Sequence, residues 1–330
     1  MKEKFSALVV DKRGDTCNVG VRQLTLSQLP KGEVTVKVAY SSVNYKDGLA
    51  SIPNGKIVQS YPFVPGIDLA GIVVASESKR FKEGDEVLVT GYELGVSHYG
   101  GYSEYARVKE EWVVPLPEQL SMKEAMAYGT AGFTAALSIY KLEKAGLSHD
   151  QGPVLVTGAT GGVGSIAAAL LANKGYQVVA STGSNQYTDY LKGLGVSEVI
   201  GRNELEKDKI RALDKQRWIA AVDPVGGKSL AYILSSIQYG GSVAVSGLVG
   251  GVNVPTTVFP FILRGVNLLG VDSVYCPMEV REELWRKMAA FKPQSLMTDV
   301  SKEVSLQELP TALSEILEGK TKGRVIVKVS

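Results

Sequence analysis

The chain has 330 residues, 45% of them hydrophobic, which is enough for two domains with cores of their own. Its 36 basic and 34 acidic side chains are interspersed and leave a net charge of +2, so no electrostatic footprint suggests nucleic acid. No apolar run reaches membrane-spanning length, which excludes a helical membrane protein at this level of reading.

The chain opens with Met1-Lys2-Glu3-Lys4-Phe5, a charged start without an apolar signal core. Cys17 and Cys276 lie far apart and show no metal spacing, so a reduced, cytoplasmic setting is expected. Short β-like runs then follow. Residues 34–40 alternate apolar and polar positions, 69–74 are continuously apolar, 86–90 follow a Gly84-Asp85 turn, and 103–108 add another strand. Frequent glycine and proline point to a compact β-rich domain. After Pro115-Leu116-Pro117 the character changes. Ser121 and Glu124 form a capping box for a helix over 123–143, broken near Gly129-Thr130-Ala131-Gly132.

From Val154 strands and helices alternate, with parallel strands expected at 154–157, 177–181, 198–200, 220–223, 242–246 and 267–271. Six such strands suit an α/β doubly wound parallel sheet. The first is followed by Gly158-Ala159-Thr160-Gly161-Gly162-Val163-Gly164, then a small-residue helix start, then the second strand at βαβ distance. Such a turn lets backbone amides approach a pyrophosphate, with the helix N-terminus facing its charge. Thr160, Gly161, Gly162 and Val163 are expected around it. The second strand and its turn, 177–185, contain no carboxylate of the kind that holds an NAD ribose. Thr182, Gly183 and Ser184 leave room for a 2′-phosphate instead. A phosphate is best held by charge-assisted bonds, so Lys192 or Arg202 must reach back. NADPH is favoured over NADH. The apolar run 268–274 would be the outermost strand, an edge that invites a second copy in a homodimer. The strand at 323–329 is expected to complete the first domain, which makes that domain discontinuous.

Four phrases carry a resemblance: Ser-Val-Asn-Tyr-Lys-Asp at 42–47, Tyr-Pro-Phe-Val-Pro-Gly-Ile-Asp at 61–68, Ala-Tyr-Gly-Thr-Ala-Gly-Phe-Thr-Ala at 127–135, and Pro-Phe-Ile-Leu-Arg-Gly-Val at 260–266. With the glycine turn, the chain resembles the medium-chain dehydrogenase/reductase superfamily nearly end to end. It is most similar to the zinc-free quinone oxidoreductase subfamily that includes NADPH-dependent acrylyl-CoA reductases. The resemblance implies a GroES-like catalytic domain over 1–124, a Rossmann NADP-binding domain over 125–272, and a return segment over 273–330. Zinc-dependent members take their metal on Cys and His with an acid nearby. Here Asn44 stands for the cysteine and Ile67-Asp68 for the His-Glu pair, so the three ligands a catalytic zinc needs are missing. His98 and His149 lack partners at metal spacing and read as surface or loop residues.

Without zinc to polarise a carbonyl, conjugate reduction is the natural chemistry, with donors required at the substrate carbonyl. The resemblance places Asn44-Tyr45-Lys46-Asp47 at the cleft and Thr130 beside the nicotinamide. Tyr45 is the first candidate for a polar group there, with packing of its ring as the other reading. Asn44 either orients the substrate carbonyl or braces its own turn. Asp47 reads as a structural partner for a cation or amide. Thr130 is a cofactor contact or bonds back within its helix. Leu248, Ile262 and Ser273 match nicotinamide-side positions, although locally Leu248 and Ile262 read as core. Members of the family often carry arginine where this chain has Ser184, which shifts the burden of a 2′-phosphate to Arg202. The leading expectation is an NADPH-dependent enoyl reductase acting on acrylyl-CoA or a similar small substrate. An NADPH:quinone reductase is the nearest alternative, and a non-catalytic NADPH-binding protein the third. Lys46, Lys56 and Arg264 are candidates for a basic rim that a CoA ester would want.

Overall fold

The computed structural model describes residues 3–291 and 301–330, apart from the Asn185 side chain. The expected start at Met1-Lys2 and the part of the return segment at 292–300 lie outside these residues. Among the described residues the chain divides into two compact units, one of residues 3–130, 274–291 and 301–330, the other of residues 131–273.

The first unit is β-rich. A mixed sheet runs in the order Ser301–Ser305, Arg324–Lys328, Val34–Val43, Asp68–Ser76, Glu86–Thr90, Val114–Pro115, and Tyr105–Val108 also pairs with Val34–Val43. The C-terminal strand lies antiparallel to Val34–Val43, with Val325 opposite Val43. Sequence-distant segments therefore meet at the head of one strand, just before Asn44. The core is built from the inward faces of these strands, including Val34, Val36, Val38, Leu69, Val87 and Val89, all but unexposed. An antiparallel hairpin, Lys4–Arg13 with Thr16–Thr25, turns at Gly14, whose φ of +59° favours glycine.

The second unit carries a six-stranded parallel sheet. Its order is Glu198–Gly201, Val178–Thr182, Val154–Val156, Trp218–Asp223, Ile237–Val245, Asn267–Gly270, the 3-2-1-4-5-6 arrangement of a doubly wound nucleotide fold. Buried on both faces, the inner strands are largely apolar, as in Val154, Leu155 and Val156 at 0% exposure. The reversal of strand order falls between the first and fourth strands, beside the glycine turn. Among the described residues no helix is long and apolar enough to cross a membrane.

The capping box forms as expected: the Ser121 amide donates to Glu124 Oε2 at 2.8 Å, and the Glu124 amide to Ser121 Oγ at 3.2 Å. The helix it opens, Met122–Lys144, is interrupted at Gly129, where φ is +51° and ψ −157°.

Candidate functional site

In the second unit, the strand Val154–Val156 ends in a turn that favours glycine. Gly158 takes φ +53°, and the Ala159 amide donates to the Ser181 carbonyl at 3.1 Å, which fastens the turn to the neighbouring strand. The helix Gly162–Asn173 starts with Gly161 as its cap, and no side chain caps it. Its opening amides therefore have no partner within the helix and form a donor set for an anion. A Cβ on Gly164 would stand 2.3 Å from the Gly158 carbonyl oxygen, so the helix approaches the turn as closely as backbone allows. Thr160, Gly161, Gly162 and Val163 are each partly exposed around this cradle. Beneath it the Thr157 hydroxyl donates to buried Asp223, which also accepts the Gly226 amide at 2.9 Å. Burial pushes the Asp223 carboxyl up from its ordinary range.

The second strand ends at Thr182. Its hydroxyl accepts the Ser184 amide at 3.2 Å, which shapes the Thr182-Gly183-Ser184 turn. The third strand runs parallel with Gly201 opposite Thr182, so Arg202 emerges beside Gly183. Its guanidinium carbon lies 2.9 Å from where a Cβ on Gly183 would stand. Lys192, the other cation considered, is turned away and donates to the Ser197 carbonyl. The Thr134 hydroxyl donates to Ser273 Oγ at 2.8 Å. The local reading of Leu248 and Ile262 as core is corrected: they are 60% and 67% exposed. Ile262 lies on a six-residue helix that buries Pro260 and packs Phe261 on the core, leaving its other face open. Arg264 is no rim cation. Its guanidinium donates to the carbonyls of Asp214 and Ser235 at 2.6 and 2.8 Å, a structural clasp.

In the first unit a buried polar network gathers around Asp68 and Arg324. Asp68 Oδ2 accepts Ser42 Oγ at 2.5 Å, Asn44 Nδ2 at 2.7 Å and the Thr130 amide at 2.9 Å, and its Oδ1 accepts the Thr130 hydroxyl at 2.5 Å. Arg324 pairs with Asp68 at 3.8 Å and donates to Ser42 Oγ, the Val43 carbonyl, Asn44 Oδ1 and the Ala127 carbonyl. Both ends of the Asn44 amide are thus engaged inside the protein. Asp47 reaches back to the Asn44 amide at 2.9 Å and accepts the Ile67 amide at 3.0 Å, which closes the turn that starts the helix Tyr45–Ala50. Tyr45, its first residue, is 40% exposed. Asn44 offers an amide, Ile67 offers nothing, and Asp68 is filled by four donors and a guanidinium. The residues do not fit a metal ion. Of the two readings, surface or loop, His98 meets the second: it is a buried loop residue, its Nε2 2.6 Å from the Arg107 carbonyl. His149 is exposed.

Motif reading gives no role to Arg324, to Ser42, although Ser42 opens one of the quoted phrases, or to Tyr102, whose hydroxyl donates to the Ser42 carbonyl at 3.1 Å. A signal existed. Asp68 and Arg324 each open a largely apolar strand and are themselves buried, and a buried charge requires a partner. Two carboxylates share this site with one guanidinium. Burial, with the Asp68 charge adding to it, pushes the Asp47 carboxyl up from 3.8 to about 7. The unfolded chain therefore releases a proton between about pH 4 and 7 that the folded protein keeps, so stability falls as pH rises through that window. Melting temperatures across this range should fall less steeply for Asp47→Asn than for wild type. Parallel curves would show that Asp47 does not titrate there.

The family profile described as the alcohol dehydrogenase GroES-like domain matches residues 30–118, and that of zinc-binding dehydrogenases matches 162–290. The chain is 59% identical to YhfP of Bacillus subtilis, which carries a quinone oxidoreductase name, over the whole of both chains. It is 49% identical to the acrylyl-CoA reductase AcuI of Ruegeria pomeroyi over 99% of each. The solved structure of YhfP, with NAD bound, superposes with a TM-score of 0.96 over 99% of this chain and all of that one. The yhdH oxidoreductase of Salmonella enterica, in complex with NADP, gives 0.96 at 47% identity over 98% and 100%.

Proposed function

This chain belongs to the medium-chain dehydrogenase/reductase superfamily, in its zinc-independent quinone oxidoreductase and acrylyl-CoA reductase branch, and from that premise we propose that it is an NADPH-dependent reductase of a small enoyl substrate, acrylyl-CoA first. The observation that carries the cofactor half is Arg202 lying on Gly183 at the end of the second strand, where no carboxylate stands. The cradle of Thr160, Gly161, Gly162 and Val163 fits a pyrophosphate, and Thr182, Gly183 and Ser184 with Arg202 fit a 2′-phosphate. Leu248, Ile262 and Ser273 are assigned to the nicotinamide side. The exposed faces of the first two suit a flat apolar ring.

When bound, NADPH supplies a hydride. The chain's part is to hold the cofactor and to stabilise the charge that develops on the substrate carbonyl oxygen, where one hydrogen-bond donor is worth about 2.7–4 kcal/mol. Tyr45 is the donor we assign, since its partly exposed phenol stands at the head of a helix pinned by Asn44 and Asp47. Asn44 acts through that turn, its amide being engaged with Asp68 and Arg324. The same fold serves quinone reduction, a reading favoured by the name and 59% identity of YhfP.

NADPH oxidation followed with acrylyl-CoA and with a simple quinone separates the two. Turnover far better on the thioester supports the first reading, preference for quinone supports the second, and silence on both leaves a binding protein. In the same assay Arg202→Ala should raise KM for NADPH by roughly 10- to 100-fold, the worth of a charge-assisted bond, and leave that for NADH alone. Equal effects would remove the 2′-phosphate contact. The strand Asn267–Gly270, at the end of its sheet with Leu268 41% exposed, is the face we assign to a second copy. A monomer mass by light scattering would end that assignment. A cytoplasmic setting belongs to the same proposal, neither cysteine being part of a disulfide.

A further inference from the structure

Asp223 ends the apolar strand Trp218–Asp223 and is 0% exposed, so it meets no ligand itself. A carboxylate taken out of water is costly unless bonds offset the loss. Its Oδ1 accepts the Thr157 hydroxyl and, at 3.3 Å, the Val225 amide, and its Oδ2 accepts the Gly226 amide at 2.9 Å. The loop these bonds fix, Pro224-Val225-Gly226-Gly227, touches two segments at once. On one side is the glycine turn, where a Cβ on Gly158 would stand 3.3 Å from Val225 Cγ2 and 3.6 Å from Pro224 Cγ. On the other is the segment 247–251. The Gly250 amide donates to the Val225 carbonyl at 2.8 Å. A Cβ on Gly227 would lie 2.2 Å from the Gly250 oxygen, and one on Gly247 2.0 Å from the Pro224 oxygen. Backbone meets backbone there, with glycine on both sides. From this segment Leu248 and Val249 project outward, 60% and 66% exposed.

We propose that Asp223 is a positioning residue: by holding the Val225 and Gly226 amides it sets the segment 247–251 at a fixed distance from the glycine turn, so that the pyrophosphate cradle and the Leu248 side chain grip one dinucleotide together. This rests on the reading of the protein as an NADPH enzyme with Leu248 on the nicotinamide side. The two amides can only donate, so the loop keeps its place only while both face an acceptor. The loop has little slack, because its contacts with the segment are too close to admit a methyl group at Gly227 or Gly247. A shift of the loop therefore moves Leu248 relative to the cradle.

Calorimetric titration of the full chain with three ligands tests this. Adenosine 2′,5′-bisphosphate carries the adenosine half, 2′-phospho-ADP-ribose adds the pyrophosphate and second ribose, and NADPH adds only the nicotinamide. In Asp223→Asn the side-chain NH2 replaces one acceptor and faces the Val225 or the Gly226 amide, donor against donor, so the loop must move. The preference for NADPH over 2′-phospho-ADP-ribose should fall by about tenfold, the scale of part of one large apolar contact. Adenosine 2′,5′-bisphosphate should bind as it does to wild type. Gly247→Ala leaves Asp223 intact and should give the same fall. Its Cβ would meet the Pro224 oxygen at 2.0 Å and the Pro224 carbonyl carbon at 2.7 Å, backbone that cannot rotate away, so the exposed segment retreats. That variant decides alone where the Asp223→Asn protein fails to fold. An unchanged ratio in either folded variant, whether the affinities hold or fall together, would overturn the proposal. Wild type that binds NADPH no better than 2′-phospho-ADP-ribose would overturn the place given to Leu248, and wild type that binds neither would overturn the cofactor reading. Both results take this inference with them and are distinct from a ratio present in wild type and untouched in the variants.

Discussion

Gly129→Ala is expected to destabilise the protein by roughly 3–6 kcal/mol, with the loss split between backbone strain and collision. At φ +51° and ψ −157° Gly129 occupies a region essentially closed to side-chain-bearing residues. The added methyl would also press on Asp68, Ser42 and Arg324 at under 3 Å, and all three are 2% exposed or less. A flexible side-chain end could move aside, but these atoms are tied to one another and to three separate segments of backbone. Displacing one breaks bonds at all of them, and a buried guanidinium left partly unpaired is costly in itself. Gly84→Ala is the matching control. Gly84 has φ +93° with nothing within 4 Å of its would-be Cβ, so it reports strain without collision. Urea unfolding of both variants reads the difference. Equal losses would mean that the network yields freely around the methyl.

The parallel sheet was legible because its inner strands are buried on both faces and so are largely apolar, a signal that survives without tertiary knowledge. The break in the long helix was legible from Gly129-Thr130-Ala131-Gly132, although the reason for it lies in Asp68 and Arg324. The N-terminal hairpin was missed. Its second strand, Thr16–Thr25, alternates weakly between exposed and half-buried positions and gives little period-two contrast. Arg324 was missed for a different cause. Its partners Ser42, Val43, Asn44 and Ala127 lie about 200 to 280 residues away, and no local pattern encodes a register set by antiparallel pairing of the last strand with Val34–Val43. The arginine opposite Gly183 was found only because a phosphate needs a cation. That requirement comes from ligand chemistry, and the parallel register of Gly201 with Thr182 is what meets it.

The glycine turn offers a paired test of the same logic. Gly164→Ala should lower NADPH affinity by about a hundredfold, the scale expected when donors are misplaced by roughly 1 Å. Its Cβ would meet the Gly158 oxygen at 2.3 Å, the Gly158 carbonyl carbon at 2.7 Å and the Ala159 Cα at 2.8 Å, all backbone. None of these can rotate away, so the helix start must retreat from the turn and carry its opening amides with it. Gly161→Ala is different in kind. Its Cβ would meet only the Gly158 oxygen at 3.4 Å, an ordinary contact, and its φ of −83° suits any residue. That variant should fold with wild-type stability and still bind NADPH more weakly, because the methyl occupies the approach of the pyrophosphate to the amides. Thermal unfolding of the apo proteins beside fluorescence titration with NADPH separates the cases. Gly161→Ala with wild-type affinity would place the pyrophosphate elsewhere. Gly164→Ala with wild-type affinity would mean that the helix start does not hold it.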